Sequence, residues 1–391
     1  MKSTSIGKIA DVQTGPFGSQ LHKEDYVLNG TPIVTVEHLG QKIFTTQNLP
    51  CVSDKDKERL AKYTMRPGDI IFSRVGSVDR CSYATVGNNG WLFSGRCLRL
   101  RVTDDGVESE YLYYYFCQEA IKELIRNHAV GATMPSLNTK LLSELPFTYP
   151  EKNEQKRVIS LLSDIDAKIE RNAQINRNLE KQAQAIFKSW FVDFEPFGSS
   201  IPSDWVEISF GAFLKPRSEK SNDVSIPLFS VTDTGIYPRD EKFNKKLSKS
   251  TTKNKIAYCT DIIFGMSREI LNWGIMRAPI GCVSSAYNVY SVSDMVNSKY
   301  LESFIKSHSQ SFQDLIGPAS REGQGIDKAA LLAKTIYLPT NDVLTNYYAI
   351  EDALTETIKI HESENKRLIL LRDTLLPKLM SGEIDVSEVE V

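Results

Sequence analysis

The sequence predicts an α+β protein made of two similar globular domains, each followed by one long helix. Three features predict this fold class: an internal repeat, short β-branched and aromatic runs bounded by turn residues, and two long helical patterns. Because the chain repeats once, we expect an internal pseudo-twofold relation between its halves, with the two helices forming an antiparallel two-helix coiled coil.

The repeat appears at a nearly constant spacing. Pro150 and Pro339 each close an apolar stretch and open a helical one, and they lie 189 positions apart. The run D-I-I-F begins at Asp69 and again at Asp261, 192 positions later. The chain is therefore divided into domains at 1–150 and 196–340, a first helix at 151–195, and a second helix with a C-terminal tail at 341–391.

The two globular parts are rich in short runs typical of strands, such as TPIVTVEHL, GDIIFSRVG and TDIIFGM. Gly, Pro, Asn and Asp separate these runs and predict tight turns. Interposed stretches such as SEYLYYYFCQEAIKELIRNHA have a helical pattern. Each domain is therefore predicted to be α+β around a twisted, mainly antiparallel sheet.

The two helical segments carry seams of residues alternately four and three apart, the spacing of a coiled coil. The seam positions are Leu162, Ile165, Ile169, Asn172, Asn176, Leu179 and Ile186 in the first helix and Leu354, Ile358, His361, Asn365, Leu368 and Leu375 in the second. Glu351 and Arg372 interrupt the second seam. The neighbouring Ile350 and Leu371 are expected to take over the packing there.

We expect the two helices to pair with each other as a spacer between the domains. The second domain must lie between the end of one helix and the start of the other, which favours an antiparallel pair. Both seams turn polar at the same step, at Asn172/Asn176 and His361/Asn365, and such a step fixes register. The alternative is that each helix packs on its own domain as an amphipathic lid, although a seam of about 50 Å is longer than a small domain needs.

Composition excludes several classes of protein. The 391 residues include 47 Lys and Arg against 49 Asp and Glu, so a strongly basic chain is excluded as the reason for any partner. We find no apolar run long enough for a membrane span and no signal peptide, so a cytoplasmic location is expected. The six cysteines form no C-x-x-C pair, which favours reduced thiols over zinc or redox chemistry.

Motifs that carry catalysis are missing from the sequence. It has no phosphate-binding G-x-x-x-x-G-K-[ST], no G-x-G-x-x-G after a strand and no H-E-x-x-H. It also lacks the [DNS]-P-P-[YFW] clamp of methyltransferases that act on extruded bases. We therefore predict no catalytic residue and no metal site. A stand-alone methyltransferase or nuclease would need these absent motifs.

Basic and polar loops follow several predicted strands and suggest DNA contacts. Arginine in a fixed turn after a strand can reach guanine edges, while lysine neutralises phosphates. The alternative for each loop is plain solvation. The candidate DNA-binding residues are Ser19, Arg74, Ser77, Arg80, Thr133, Lys245, Lys246, Arg268, Arg277 and Arg321.

Several segments resemble the specificity (S) subunits of type I DNA restriction-modification systems. The segments AIFKSWFVDFEPF from Ala185 and LLPKLMSGEI from Leu375 resemble the ends of the two helices in that family. The turn GPFGS from Gly15 and the strand and turn PGDIIFSR from Pro67 are also similar. The second copy differs, because Met266 stands where the first copy has Arg74.

The resemblance implies two target-recognition domains that each recognise half of a split sequence in double-stranded DNA. It also implies a spacer that docks two modification (methyltransferase) subunits, which restriction subunits with translocase and nuclease activity can join. The S subunit of this family has no active site. S-adenosylmethionine, ATP and magnesium are accordingly expected on partner subunits, and no membrane is expected as a partner.

Two further hypotheses follow from the helices. Apolar residues outside the seam, at Leu161, Ile175, Phe187 and Phe191, are expected either to form a partner surface or to pack on the globular domains. A protein-only scaffold would share the paired helices but would not bind DNA. Salt-dependent binding to duplex DNA distinguishes a scaffold from a DNA-binding subunit.

Overall fold

The structure is a computed structural model, and it describes residues 1–18, 20–131, 135–221, 223, 225–239, 253–267, 270–316 and 326–389. The chain separates into two compact units. Unit 1 comprises Met1–Ile175 with Ile360–Val391, and unit 2 comprises Asn176–Lys359. Each unit therefore contains one globular head and a part of both long helices.

The two longest helices run through both units, and shorter helices belong to the heads. The long helices are α6 (Lys152–Phe191) and α11 (Asn341–Ser381). The shorter helices of unit 1 are α1 (Ile6–Ile9), α2 (Asp54–Arg59), α3 (Ser109–Cys117), α4 (Glu119–His128) and α5 (Thr139–Glu144). Those of unit 2 are α7 (Phe210–Phe213), α8 (Ser298–Ser307), α9 (Ser309–Gln313) and α10 (Lys328–Ala333).

Unit 1 distributes its strands over three small sheets. The strands are β1 (Lys2–Ser5), β2 (Ala10–Thr14), β3 (Tyr26–Val27), β4 (Thr31–Val34), β5 (Cys51–Val52), β6 (Ile70–Ser73), β7 (Cys81–Tyr83), β8 (Leu92–Phe93), β9 (Cys97–Val102) and β10 (Pro146–Tyr149). The sheet orders are β1-β10, β2-β9-β6-β7 and β3-β5-β4-β8 among the described residues. Among the described strands of unit 1, only the β4–β8 pair is parallel.

Unit 2 repeats the main features of this topology. Its strands are β11 (Val206–Ser209), β12 (Leu214–Arg217), β13 (Phe229–Thr232), β14 (Gly235–Pro238), β15 (Lys255–Tyr258), β16 (Ile262–Phe264), β17 (Trp273–Ile275), β18 (Ile280–Val283), β19 (Asn288–Val292) and β20 (Thr335–Leu338). The sheets β11-β20 and β12-β19-β16-β17 have the same order as β1-β10 and β2-β9-β6-β7. The remaining described strands form the pairs β13-β14 and β15-β18. The predicted repeat and mainly antiparallel pairing are confirmed, although each unit has several small sheets because its strands are short.

The aspartate of each D-I-I-F run has a structural role. Asp69 is buried, accepts a hydrogen bond from the Arg66 backbone N–H at 2.7 Å and pairs with Arg101. Asp261 is also buried, accepts from the Tyr258 backbone N–H at 2.9 Å and pairs with Arg217. The carboxylate closes the turn before the strand, and an arginine compensates its buried charge.

Both long helices contribute to the core of each head. In unit 1, Leu162 of α6 and Leu376 and Leu379 of α11 lie in the same buried cluster as Tyr111 of α3. In unit 2, the buried Phe187 of α6 lies 5.9 Å from Tyr347 of α11 between ring centroids. The helices thus pack on the heads as well as on each other. The expectation that they pair and the alternative that they pack on the globular domains therefore both hold in part.

The predicted antiparallel pairing is confirmed within each unit. In unit 1, Asp166 pairs with Arg372, and Asn172, further along α6, bonds to Asn365, which comes before Arg372 in α11. The two helices therefore run in opposite directions. In unit 2, Asn176 donates to the Ile358 carbonyl and Phe187 contacts Tyr347. All the predicted seam residues are buried or half-buried: Leu162, Ile165, Ile169, Asn172, Asn176, Leu179, Ile186, Leu354, Ile358, His361, Asn365, Leu368 and Leu375.

The expectation for the two residues beside the interrupted seam positions of α11 is wrong. Ile350 and Leu371 do not replace the seam positions beside them, because they are 38% and 47% exposed. Arg372 stays in the seam because it forms an ion pair with Asp166. Of the two alternatives for the apolar residues outside the seam, packing on a head holds for Phe187 and Phe191, which are buried in unit 2, whereas Leu161 and Ile175 remain exposed.

Candidate nucleic-acid interface

The turn that follows β6 is held by backbone hydrogen bonds to neighbouring segments. The Ser73 N–H donates to the Arg80 carbonyl at 2.9 Å, and the Arg74 N–H donates to the Arg96 carbonyl at 2.8 Å. The Arg74 carbonyl accepts from the Leu137 N–H at 2.8 Å. Gly76 has φ of +76°, a conformation that favours glycine. The turn is therefore anchored on more than one side.

Three arginines extend from this turn and its neighbour, and we call Arg74, Arg80 and Arg96 the arginine turn. The Arg74 guanidinium donates to the Gly95 carbonyl at 3.3 Å and lies 5.8 Å from the ring centroid of Phe17. Arg80 and Arg96 are exposed, as is Ser77, which lies between Arg74 and Arg80 in the loop. Within the described part of the chain, none of the three arginines pairs with a carboxylate. The turn therefore presents uncompensated positive charge.

The one acidic side chain in the same loop is neutralised from outside it. Asp79 pairs with Arg126 of α4 at 2.6 Å, and Arg126 also contacts Glu119. The hydrogen bonds that Arg126 donates to Glu119 and Asp79 raise the pKa of Arg126. The ion pair keeps Asp79 from cancelling the charge of the arginine turn.

Close backbone approach places Phe17 beside Arg74. A Cβ atom added at Gly15 would lie 2.1 Å from the Ser94 carbonyl oxygen, and one added at Gly95 would lie 2.1 Å from that of Pro16. Only glycine at both positions permits this contact. The aromatic ring of Phe17 is thereby held at the surface, 56% exposed, next to a guanidinium.

A charged network connects this region to both long helices within unit 1. The Tyr83 N–H of β7 donates to the Lys42 carbonyl at 2.8 Å. The Lys42 ammonium donates to Tyr114 at 2.7 Å, and the Tyr114 hydroxyl donates to Asp166 of α6 at 2.7 Å. Asp166 then pairs with Arg372 of α11 at 2.9 Å. The strand that follows Arg80 is therefore linked through side chains to the helix pair.

Burial and charge shift the pKa values in this network. Burial and the Asp166 carboxylate raise the pKa of Tyr114, so its hydroxyl remains a donor. Burial by itself would lower the pKa of Arg372, but the hydrogen bonds and charges of Asp166 and Asp373 outweigh burial and raise it. Tyr114 therefore keeps its proton and Arg372 its positive charge at neutral pH, as the hydrogen bonds and the ion pair of the network require.

The corresponding turn of unit 2 has different chemistry. The Gly265 N–H donates to the Asn272 carbonyl at 2.7 Å, which reproduces the bond between Ser73 and Arg80. Met266 and Ile270 are 41% and 56% exposed. The Asn272 side-chain amide donates to the Met266 carbonyl at 2.6 Å. The described part of this turn exposes apolar side chains, and its hydrogen bonds run within the turn and to Gln313 of α9.

Arg277, a predicted contact in unit 2, lies away from this turn. It follows β17 and is therefore at the far end of the β16–β17 hairpin, since Ile275 pairs with Ile262 at the start of β16. Its guanidinium pairs with Glu302 of α8, and Glu302 also pairs with Lys306 at 2.9 Å. The structure does not bring Arg277 together with the turn at Met266.

The remaining predicted contacts divide into two groups. Arg74, Ser77 and Arg80 lie together at the turn after β6. The others, Ser19, Thr133, Lys245, Lys246, Arg268 and Arg321, lie outside the described residues.

Arg96 is a member of the arginine turn that sequence reasoning missed. Its signal is weak, a single arginine between a glycine and the strand LRLRV. It reaches Arg74 because β9 pairs antiparallel with β6, with Ser73 opposite Cys97. The start of one strand then lies beside the end of the other.

Two negative findings apply to the described residues only. No group of three or more His, Cys, Asp or Glu side chains there could hold a metal ion. No helix in the same residues is long and apolar enough to cross a membrane.

The fold and the arginine turn define a class of protein built from two repeated α+β units, one with a basic surface suited to nucleic acid. Residues 1–181 match the family model described as type I restriction modification DNA specificity domain. The specificity subunit of type I restriction enzyme MjaIX of Methanocaldococcus jannaschii is 27% identical over 434 aligned residues, which cover 99% of this chain and 97% of that protein. The HindI specificity subunit of Haemophilus influenzae is 32% identical over 199 residues, which cover 50% of this chain and 41% of that protein.

A solved structure has the same fold along the whole chain. The crystal structure of a type I restriction-modification S subunit from M. genitalium matches with a TM-score of 0.54 at 17% identity, and the match covers 97% of this chain and 96% of that one. The family model and the MjaIX relative support the family resemblance seen in the sequence, and the solved structure supports the fold. This chain is therefore similar over most of its length to specificity subunits of type I restriction-modification systems.

Proposed function

We propose that each head recognises one half of a bipartite DNA sequence and that the arginine turn supplies base contacts for the first half. The observation that carries this proposal is a set of three arginines, without carboxylate partners in the described residues, on a turn anchored by backbone bonds. Arginine binds guanine O6 and N7 in the major groove in a bidentate manner. A fixed turn limits the entropy lost when such contacts form.

The chain acts in this proposal without an active site of its own. Specificity comes from this subunit, and methyl transfer and DNA cleavage come from modification and restriction subunits. S-adenosylmethionine, ATP and magnesium then bind to those partners. The lack of familiar catalytic motifs in the sequence supports this division of roles.

The docking of methyltransferase subunits is proposed for the outer surface of the helix pair in unit 1. Leu161 and Ile175 of α6 are exposed there, and Ile369, Leu370 and Leu371 of α11 are exposed as well. A surface of this kind on paired helices is typical of a protein interface.

Replacing Leu370 and Leu371 with Asn should reduce co-purification of the methyltransferase subunit. Lys366→Asn, at an exposed position of the same helix, is the matched control.

The test of base recognition uses the chain co-expressed with its methyltransferase subunits. Methylation is mapped across a genome for the wild type and for Arg74→Ala, Arg80→Ala and Arg96→Ala. Each variant should weaken recognition of the first half by about 1–3 kcal/mol, without altering the second half. Arg66→Ala is the control, because Arg66 is exposed at the opposite end of β6.

Three outcomes would count against the proposal. A continuous methylated motif would exclude recognition in two halves. An unchanged motif in all three arginine variants would exclude the arginine turn as the contact surface. If the purified chain bound duplex DNA with no dependence on salt, or not at all even with its partners, the scaffold alternative would be favoured.

A further inference from the structure

The turn after β6 in unit 1 can be aligned residue by residue with the turn after β16 in unit 2, because the strands that flank the two turns pair in the same order. Phe72 of β6 pairs with Cys81 and Leu98, and Phe264 of β16 pairs with Trp273 and Asn288. Counting from these pairs gives three equivalences. Arg74 corresponds to Met266, Arg80 to Asn272 and Arg96 to Ala286.

The backbone supports this alignment. The bond from the Ser73 N–H to the Arg80 carbonyl has its counterpart in the bond from the Gly265 N–H to the Asn272 carbonyl. All three arginines of unit 1 therefore have uncharged equivalents in unit 2. Arg268, two positions after Met266, lies outside the described residues and is not one of these equivalents.

The replacements change which base edges each turn can contact. Met266 and Ile270 present exposed apolar side chains, and Ala286 is exposed as well. The Asn272 amide is already engaged by the Met266 carbonyl, so it is poorly placed to bind an adenine edge. Apolar side chains in the major groove contact the thymine methyl group and have no donors for guanine.

We propose that the two heads use different chemistry: unit 1 recognises guanine through the arginine turn, and unit 2 recognises thymine methyl groups through Met266 and Ile270. This inference rests on the proposed function, since it assumes that each head contacts one half of the site. It adds the base class in each half, and it names Met266 and Ile270 as specificity-determining residues.

The test uses the full chain in complex with its methyltransferase subunits and duplexes that contain the mapped site. Deoxyuridine in place of thymidine removes only the methyl group, and 7-deazaguanine removes only the N7 acceptor. Deoxyuridine in the second half should weaken binding about fourfold for each contacted methyl. 7-Deazaguanine in the first half should weaken binding roughly fivefold or more.

Variants connect these effects to the named residues. Met266→Ser should lower affinity for the thymidine duplex and reduce the difference between thymidine and deoxyuridine in the second half, and Met266→Ser with Ile270→Ser should abolish this difference. Met295→Ser is the matched control, because Met295 is also an exposed methionine, at 59% against 41% for Met266, and lies elsewhere in unit 2. The control should keep the full sensitivity to deoxyuridine.

The inference is overturned if the second half shows no sensitivity to deoxyuridine, or if its recognition depends on guanine N7. A second half-site without A·T pairs would overturn it as well. Failure of the proposed function gives a different result, because Arg74→Ala would then leave the first half unaffected. A loss of first-half recognition in Arg74→Ala, together with a second half indifferent to deoxyuridine, rejects the inference alone.

Discussion

Glycine at two positions of unit 1 decides where the aromatic ring beside Arg74 is placed. Gly15 and Gly95 bring the segments at 15–16 and 94–95 so close that neither position has room for a Cβ atom. The Gly15 N–H also donates to the Cys97 carbonyl at 3.1 Å. A methyl group at either glycine would separate the Phe17 segment from the arginine turn.

We expect Gly95→Ala to weaken first-half DNA recognition and to destabilise unit 1 by about 1–3 kcal/mol, because the added methyl overlaps the Pro16 carbonyl. Denaturant unfolding and methylation mapping measure the two effects. Gly18→Ala is the control, since a Cβ there meets nothing within 4 Å. Equal behaviour of the two variants would contradict the importance of this contact.

Glu351 is a carboxyl in the seam of α11 that lacks a complete set of partners. Its Oε2 atom is buried and has no hydrogen-bond partner among the described residues. Burial raises the pKa of Glu351, Asp352 and Glu302 raise it further, and Lys299 and Arg277 oppose them. The folded state therefore binds this proton more tightly than the unfolded chain.

The raised pKa of Glu351 predicts a pH effect with a definite sign. Its contribution to stability is present below the pKa of an ordinary glutamate and is lost as the pH rises through the raised value. Glu351→Leu should therefore stabilise unit 2 at pH 7 by about 1 kcal/mol and flatten the dependence of stability on pH. Glu356→Leu, at an exposed position of α11, should do neither. Thermal unfolding at several pH values measures both variants.

At the scale of the helices, polar seam residues fix how α6 and α11 align in unit 1. The Asn172 amide donates to Asn365 at 2.9 Å and to Glu364 at 2.6 Å. The Asn365 amide donates to the Ile169 carbonyl at 3.2 Å. These bonds form only in one register, so the polar step specifies alignment at a cost in stability, as the sequence predicted.

The ion pair between Asp166 and Arg372 should be coupled to the head through Lys42. Asp166→Asn removes the charge that both cations face, and we expect unit 1 to lose about 1–3 kcal/mol. A double-mutant cycle with Arg372→Met measures the coupling, expected at about 0.5–3 kcal/mol. The surface pair Lys140 and Glu144 is a suitable reference, because both side chains are largely exposed. A coupling energy no larger than that of this reference pair would contradict the role of the network.

At the scale of the whole molecule, one copy of the repeat does not supply all the apolar residues of its own hydrophobic core. The head of unit 1 is closed by Leu376, Leu379 and Met380 from the second helix. At the spacing of 189 positions, the corresponding residues of the first helix are Phe187, Trp190 and Phe191. A head therefore needs the helix of the other copy.

A fragment of residues 1 to 197 should form a homodimer for this reason. Its partner copy would supply Phe187, Trp190 and Phe191 in place of the missing apolar residues, and a twofold interface needs only one surface. Light scattering at tens of micromolar measures the mass. With methyltransferase bound, the dimer should direct methylation to an inverted repeat of the first half-site.

The fragment also allows a direct test of helix pairing. Ile165→Glu with Ile169→Glu should abolish the dimer, since both residues lie in the seam. Ala167→Glu changes an exposed position of the same turn and should leave the dimer intact. A monomeric parent fragment, or a dimer that survives both seam substitutions, would show that pairing does not proceed as argued.

The sequence by itself determined the repeat, the two long helices, the antiparallel pairing and the turn that carries Arg74. These features depend on residues close in the chain or on a pattern repeated along it, so local spacing is enough to predict them. The spacing also placed Asn172 and Asn365 in the polar parts of the two helix seams, and in the structure their side chains hydrogen-bond to each other.

Only the tertiary structure decided which side chains share a surface. Arg96 joins Arg74 because two strands pair antiparallel, while Arg277 lies at the other end of its hairpin because β17 runs away from the turn. Phe187 is buried because a head packs against that face of α6. Such proximity is set by pairing and packing between distant segments, and no local pattern encodes it.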